Sequence, residues 1–125
     1  MKRLVIAVCI FVSTLAFAVS GWFSVCKRID SIVAIMKADR EIIINEASIS
    51  SVSTDKIMNE WYRHEKFLVS MLTHYELEEV EIGIKCLDDY RKEGLTEEYL
   101  KTLNECINHL EHVKATETPD IKNIF

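Results

Sequence analysis

The sequence predicts an all-α protein: an N-terminal transmembrane helix continuing into a stalk, then a small antiparallel helical bundle. Three observations predict it. Leu4 to Val25 is an apolar run of 22 residues without a formal charge, and about 20 apolar residues span the hydrocarbon core as a helix. Beyond it, apolar residues recur at intervals of three and four, the period of a helix with one buried face. Only one Pro and three Gly interrupt 125 residues, which permits long helices and disfavours a turn-rich β fold.

The apolar run carries Trp22 and Phe23 at its far end, where aromatic rings favour the headgroup layer. A cleaved signal peptide is the competing reading, because Ala16-Phe17-Ala18 resembles a small-x-small cleavage site. The run continues past Ala18 to Val25 and closes on Lys27-Arg28, so an uncleaved anchor over residues 1–28, in the bilayer through residues 4–25, is expected. Cys9 lies too early in the run for lipid attachment. Orientation is contested. Lys2, Arg3 and the α-amine precede the span, while Lys27, Arg28, Lys37 and Arg40 follow it. A count of basic residues places the remainder inside. The Met-Lys-Arg start followed at once by an apolar run resembles an export signal. The expectation is a single-pass protein of the cell membrane with its helical domain outside the cytoplasm.

Residues 29–54 read as the stalk and a hinge. Ile29, Ile32, Val33, Met36 and Ile43 fall at helical spacing, and the pattern fades over Ser48–Asp55, with four Ser and one Thr. Residues 55–113 read as the bundle. A helix opens near Ser53–Asp55, whose side chains suit an N-cap. Ile57, Trp61, His64, Leu68, Met71 and Leu72 share one of its faces, continued by Leu77, Val80, Ile84 and Leu87 after a break near His74–Glu76. Gly94 suits a left-handed cap. Thr96 opens the last helix, with Glu97 and Glu98 in the turn where the macrodipole favours anions. Residues 114–125 read as a tail docking on the bundle through Ile121, Ile124 and Phe125.

Charge excludes one class of partner. The net charge is −5; Lys2, Arg3, Lys27 and Arg28 contribute +4, leaving −9 for residues 29–125. That surface repels nucleic acid.

Few residues suggest chemistry. His64-Glu65 begins a metallopeptidase pattern, but the second His belongs four residues after the first, where Leu68 stands. A looser metal site would draw on His64, His74, Glu76, His109 and His112; three or four ligands must converge for such a site. No metal or other cofactor is expected. Glu76, Glu78, Glu79 and Glu81, with Asp88 and Asp89, are either the solvated side of a helix or a docking surface for a basic partner. Cys86 and Cys106 fit a disulfide outside the cytoplasm or two buried thiols.

One family pattern emerges. Glu60-Trp61-Tyr62-Arg63-His64-Glu65-Lys66, then Leu68, His74 and Glu76-Leu77-Glu78-Glu79-Val80-Glu81, are joined by Glu111-His112-Val113 and the end Ile121-Lys122-Asn123-Ile124-Phe125. Over essentially its full length the chain resembles a bacterial family catalogued as domain of unknown function 4363. Ile121 stands where a Leu is usual, and the hinge is richer in Ser. The resemblance implies a basic start, one N-terminal span and a helical body, and no assigned activity or cofactor. It also implies a companion, a multi-span membrane protein of unknown function. The expected role is a non-enzymatic accessory or interaction subunit of an integral membrane protein. Candidate interaction residues are Trp61, His64, Glu65, His74, Glu78, Ile124 and Phe125. The alternative is an extracytoplasmic module that binds or senses a metal ion or small ligand.

Overall fold

The computed structural model describes residues 1–46 and 54–117. It contains four helices, α1 (Lys2–Glu46), α2 (Thr54–Met71), α3 (His74–Glu93) and α4 (Thr96–Glu117), and among the described residues no strand. The hinge expected over Ser48–Asp55 falls outside these residues except for Thr54 and Asp55, which already open α2. Ile121, Ile124 and Phe125 of the tail lie outside them too.

α1 has 45 residues and is about 68 Å long at 1.5 Å per residue. Its neighbours divide it in two. Residues 1–20 are exposed at every position, and this stretch is long and apolar enough to cross a membrane. From Val25 onward a stripe of Ile29, Ile32, Val33, Met36 and Ile43 is buried. The bare part is about 30 Å long, the thickness of a bilayer's hydrocarbon core.

The second part of α1 is a full member of the bundle. It contacts α2 and α4, and α3 closes the ring by contacting both. The stalk is thus the fourth helix around a single core. α2 and α3 are joined by Leu72 and Thr73, and α3 and α4 by Gly94 and Leu95. Links that short force antiparallel neighbours. The chain therefore runs up, down, up and down, and the ends of α2 and α4 return to the level where α1 leaves its bare segment. Gly21 marks that level, because a Cβ there would meet Met71 Cε of α2 at 2.8 Å.

The core gathers the predicted stripes of α1, α2 and α3 with Tyr99, Leu103, Ile107 and Leu110 of α4, while Met71, expected on the apolar face of α2, is 43 % exposed. Trp61, Tyr99, Ile29, Ile32, Met36, Ile57, Leu68, Leu87, Leu103, Ile107 and Leu110 are all under 2 % exposed. Each such aliphatic side chain contributes about 1.5–3 kcal/mol by leaving water. The break between α2 and α3 comes slightly earlier than the expected His74–Glu76. Thr73 takes an extended conformation, φ −69° and ψ 143°. The Leu72 N–H still bonds the Leu68 carbonyl at 2.8 Å, whereas the Leu77 N–H already reaches Thr73. Gly94 ends α3 as expected, at φ 72°. The Gly94 N–H bonds the Arg91 carbonyl and the Leu95 N–H bonds the Tyr90 carbonyl, the paired closure of a Schellman cap.

Candidate functional site

The site begins with spacing. On α1, Ser24, Lys27, Arg28 and Ser31 recur at intervals of three, four and seven, which places them on one helical face. On α2, Glu60, Arg63, His64 and Phe67 do the same. α1 and α2 run antiparallel, and the two stripes meet along their seam. All of these residues except Phe67 line a cavity of about 430 Å³.

Hydrogen bonds fix the protonation pattern inside it. Arg28 Nη1 donates to His64 Nδ1 at 2.9 Å. A guanidinium only donates, so Nδ1 is the acceptor and the imidazole proton sits on Nε2. That proton is donated to Glu60 Oε1 at 2.8 Å. Ser31 Oγ donates to the same oxygen at 2.6 Å. The Ser31 bond holds the Glu60 carboxyl below its ordinary range; burial opposes it, and the His64 contact adds to the lowering. Arg28 also lies over the Phe67 ring, 4.2 Å from its centroid, a cation–π contact. Arg63 Nη1 approaches Glu60 Oε2 only to 4.0 Å, and its side chain is 75 % exposed.

The arrangement clamps two helices and presents cations. A hydrolytic triad needs a hydroxyl bonded to the imidazole nitrogen that will take its proton. Here Arg28 occupies that nitrogen, and the nearby hydroxyl of Ser31 points its proton at Glu60. Lys27, Arg28 and Arg63 stand against the single carboxylate of Glu60.

A second polar cluster lies toward the opposite end of the bundle. Asp39 is 5 % exposed, and neither its Oδ2 nor the Tyr99 hydroxyl has a hydrogen-bond partner. Burial pushes the Asp39 carboxyl up to about 6, with the Lys56 charge pulling the other way. Burial, and then the Asp39 charge, raise the Tyr99 hydroxyl well above its usual range. Beside them Thr54 Oγ1 donates to Asp88 Oδ1 at 2.9 Å. Asp88 also pairs with Lys92 at 2.8 Å.

The predicted interaction residues do not form one patch. Trp61 is 1 % exposed and belongs to the core, as its position on the apolar face of α2 requires. His64 and Glu65 are half-buried, while His74 and Glu78 are exposed on α3. Ile124 and Phe125 lie outside the described residues. The four histidines are dispersed. His64 is held by Arg28 and Glu60, and His109 Nε2 donates to the Glu76 carbonyl at 3.1 Å. His74 and His112 are exposed. Among the described residues no three potential metal ligands converge. Cys86 and Cys106 are free thiols. Burial pushes the Cys106 thiol up to about 12, which makes it a poor nucleophile.

Arg28, Ser31, Glu60 and Arg63 do not stand out as site residues in the sequence. Lys27-Arg28 was legible as a flank of the apolar run, and the Glu60–His64 spacing of four as a helical pair. Nothing in one strand of sequence said that the two would face each other.

No curated protein and no solved structure matches the chain. A family model matches residues 24–124, which takes in both faces of the α1–α2 cavity and all of the bundle. The chain belongs to the family described as domain of unknown function (DUF4363).

Proposed function

We propose that the chain is a single-pass, membrane-tethered, non-enzymatic subunit that accompanies an integral membrane protein, with its bundle outside the cytoplasm. One observation carries this reading. Leu4 to Ser20 of α1 carry no formal charge and are exposed at every position, with no partner among the described residues, while the rest of the same helix is locked into the bundle. A helix built this way transmits the position of the bundle rigidly to whatever meets the bare segment. Val12, Ala16, Val19, Ser20 and Phe23 border a shallow apolar groove along it. Small residues at such spacing let a neighbouring transmembrane helix approach closely. The exposed Glu78 and Glu79 of α3 supply a second, acidic contact face.

Affinity purification of the tagged full-length protein from mildly solubilised native membranes tests the proposal. A multi-span protein recovered in stoichiometric amount is the expected result. Recovery of the chain alone would sink it. The alternative reading, a small-ligand module, has the α1–α2 cavity in its favour; the lining there is cationic, which points away from metal ions and toward anions.

A further inference from the structure

The cavity between α1 and α2 has a depth as well as a charge. Val25 ends the apolar run, and Lys27 and Arg28 lie within the next helical turn. Ser24 to Ser31 rises about 10 Å along α1. Phosphates occupy the layer of several ångströms just outside the hydrocarbon core. If α1 spans the bilayer as proposed above, the cavity lies at that level.

Its cations are also available. Lys27 is exposed and makes no ion pair among the described residues. Among the described residues Arg63 makes one ion pair, its 4.0 Å approach to Glu60. Arg28 gives one Nη to His64, which leaves most of its five donors. The cavity between α1 and α4 behaves differently. It is bordered by Lys37 and Glu111, paired at 2.8 Å, and by Asp30 and Lys114, paired at 2.6 Å. Its charges satisfy one another and call for no ligand. The α1–α2 cavity keeps an excess of two positive charges in a chain whose residues 29–125 sum to −9.

We infer that this cavity binds a phosphate group, and that in the membrane the phosphate belongs to the headgroup of an anionic phospholipid. Lys27 and Arg63 supply the charge, Ser24 a hydroxyl, and Arg28 is held in place by His64 and Phe67. The full-length protein is reconstituted in vesicles of equal phosphatidylglycerol and phosphatidylcholine, and co-released lipid is identified by native mass spectrometry. Vesicle flotation is recorded on the same samples, and inorganic phosphate is titrated against the detergent-solubilised protein. Phosphatidylglycerol is expected to be retained preferentially. A double variant, Lys27→Gln with Arg63→Gln, should lose about 30-fold in that preference, roughly a factor of five for each cation. The charge-preserving pair Lys27→Arg with Arg63→Lys should keep it. Saturable binding of inorganic phosphate that the double variant loses would support the same site with free phosphate as its ligand. Preference that survives in the double variant overturns the inference, as does indifference to phosphatidylglycerol together with a flat phosphate titration. Failure of the wild type to float would instead strike the membrane-anchor reading, and the phosphate titration would then decide the site alone.

Discussion

At the scale of single residues, two carboxylates pull stability in opposite directions with pH. Asp39 is buried without a full set of partners, and its carboxyl is pushed up to about 6. The folded chain therefore holds a proton there that the unfolded chain, titrating near 3.9, has already released. Stability falls as pH rises from about 4 to about 6 and stays lower above that. The cost at neutral pH is about 3 kcal/mol at most, at about 1.4 kcal/mol per pH unit. Asp39→Asn should raise the melting temperature at pH 7 and remove this slope, read as the difference between the two proteins' thermal unfolding across pH 4–7. An unchanged slope would mean that Asp39 finds a charge partner in solution. Glu60 behaves oppositely: its carboxyl is held low, so its contribution is present above the ordinary carboxylate range and is lost as pH falls through its folded value. His64→Ala removes the link between Arg28 and Glu60, and a loss of about 1–3 kcal/mol is expected for groups left half-buried and unpaired. Denaturant unfolding checks it, and no loss would show that the clamp is ornamental. Asp39 and Tyr99 were not legible as a pair because helical spacing says which face a residue occupies, not what faces it. Glu60 and His64, four apart on one helix, were.

At the scale of elements, the sequence was read most securely where local physics decides. Helices start at Thr54 and Thr96, each with an acidic first turn, and α3 stops at the left-handed cap Gly94. The α2–α3 break was harder, since it carries neither Gly nor Pro and depends on the extended backbone of Thr73. The stalk was legible as a helix but not as part of the core. Its stripe from Val25 to Ile43 fits a lone amphipathic helix and a bundle member equally, and only the return of α4 beside it distinguishes them. Gly94 offers a clean test of element-level punctuation. Its φ of 72° costs an L-residue about 1 kcal/mol. Nothing lies within 4 Å of where its Cβ would sit, so Gly94→Ala adds strain without a clash. The expected outcome is a loss of about 1 kcal/mol in chemical denaturation with an unchanged helical spectrum. A neutral result would mean that α3 and α4 can be joined by another turn.

At the scale of the whole molecule, the step from bare helix to bundle falls within α1 at about residue 21, ahead of the basic pair Lys27-Arg28. Every residue from 1 to 20 is exposed, partial burial begins at Gly21 and Trp22, and Val25 and Cys26 are the first fully buried side chains. The bare segment therefore adds nothing to the core. Trimming the chain to residues 21–125 should leave a monodisperse, helical protein that melts cooperatively near the temperature of the full chain. Cleavage after Ala18, were it to occur, would likewise spare the bundle. Trimming to residues 29–125 is a different matter, although composition alone makes that the natural place to cut. It deletes Val25, buried to 3 %, and Arg28 with its bond to His64 at 2.9 Å. The summed loss is about 3–5 kcal/mol, from one buried aliphatic side chain and one charge-assisted bond whose partner stays behind. For a bundle of under a hundred residues that is a large part of its total stability. Circular dichroism melts of the two trimmed chains, run beside size-exclusion chromatography, separate these expectations. Equal melting temperatures would mean that the α1–α2 seam around Val25 and Arg28 contributes little. A 21–125 chain that aggregates would mean that the bundle depends on its bare helix after all.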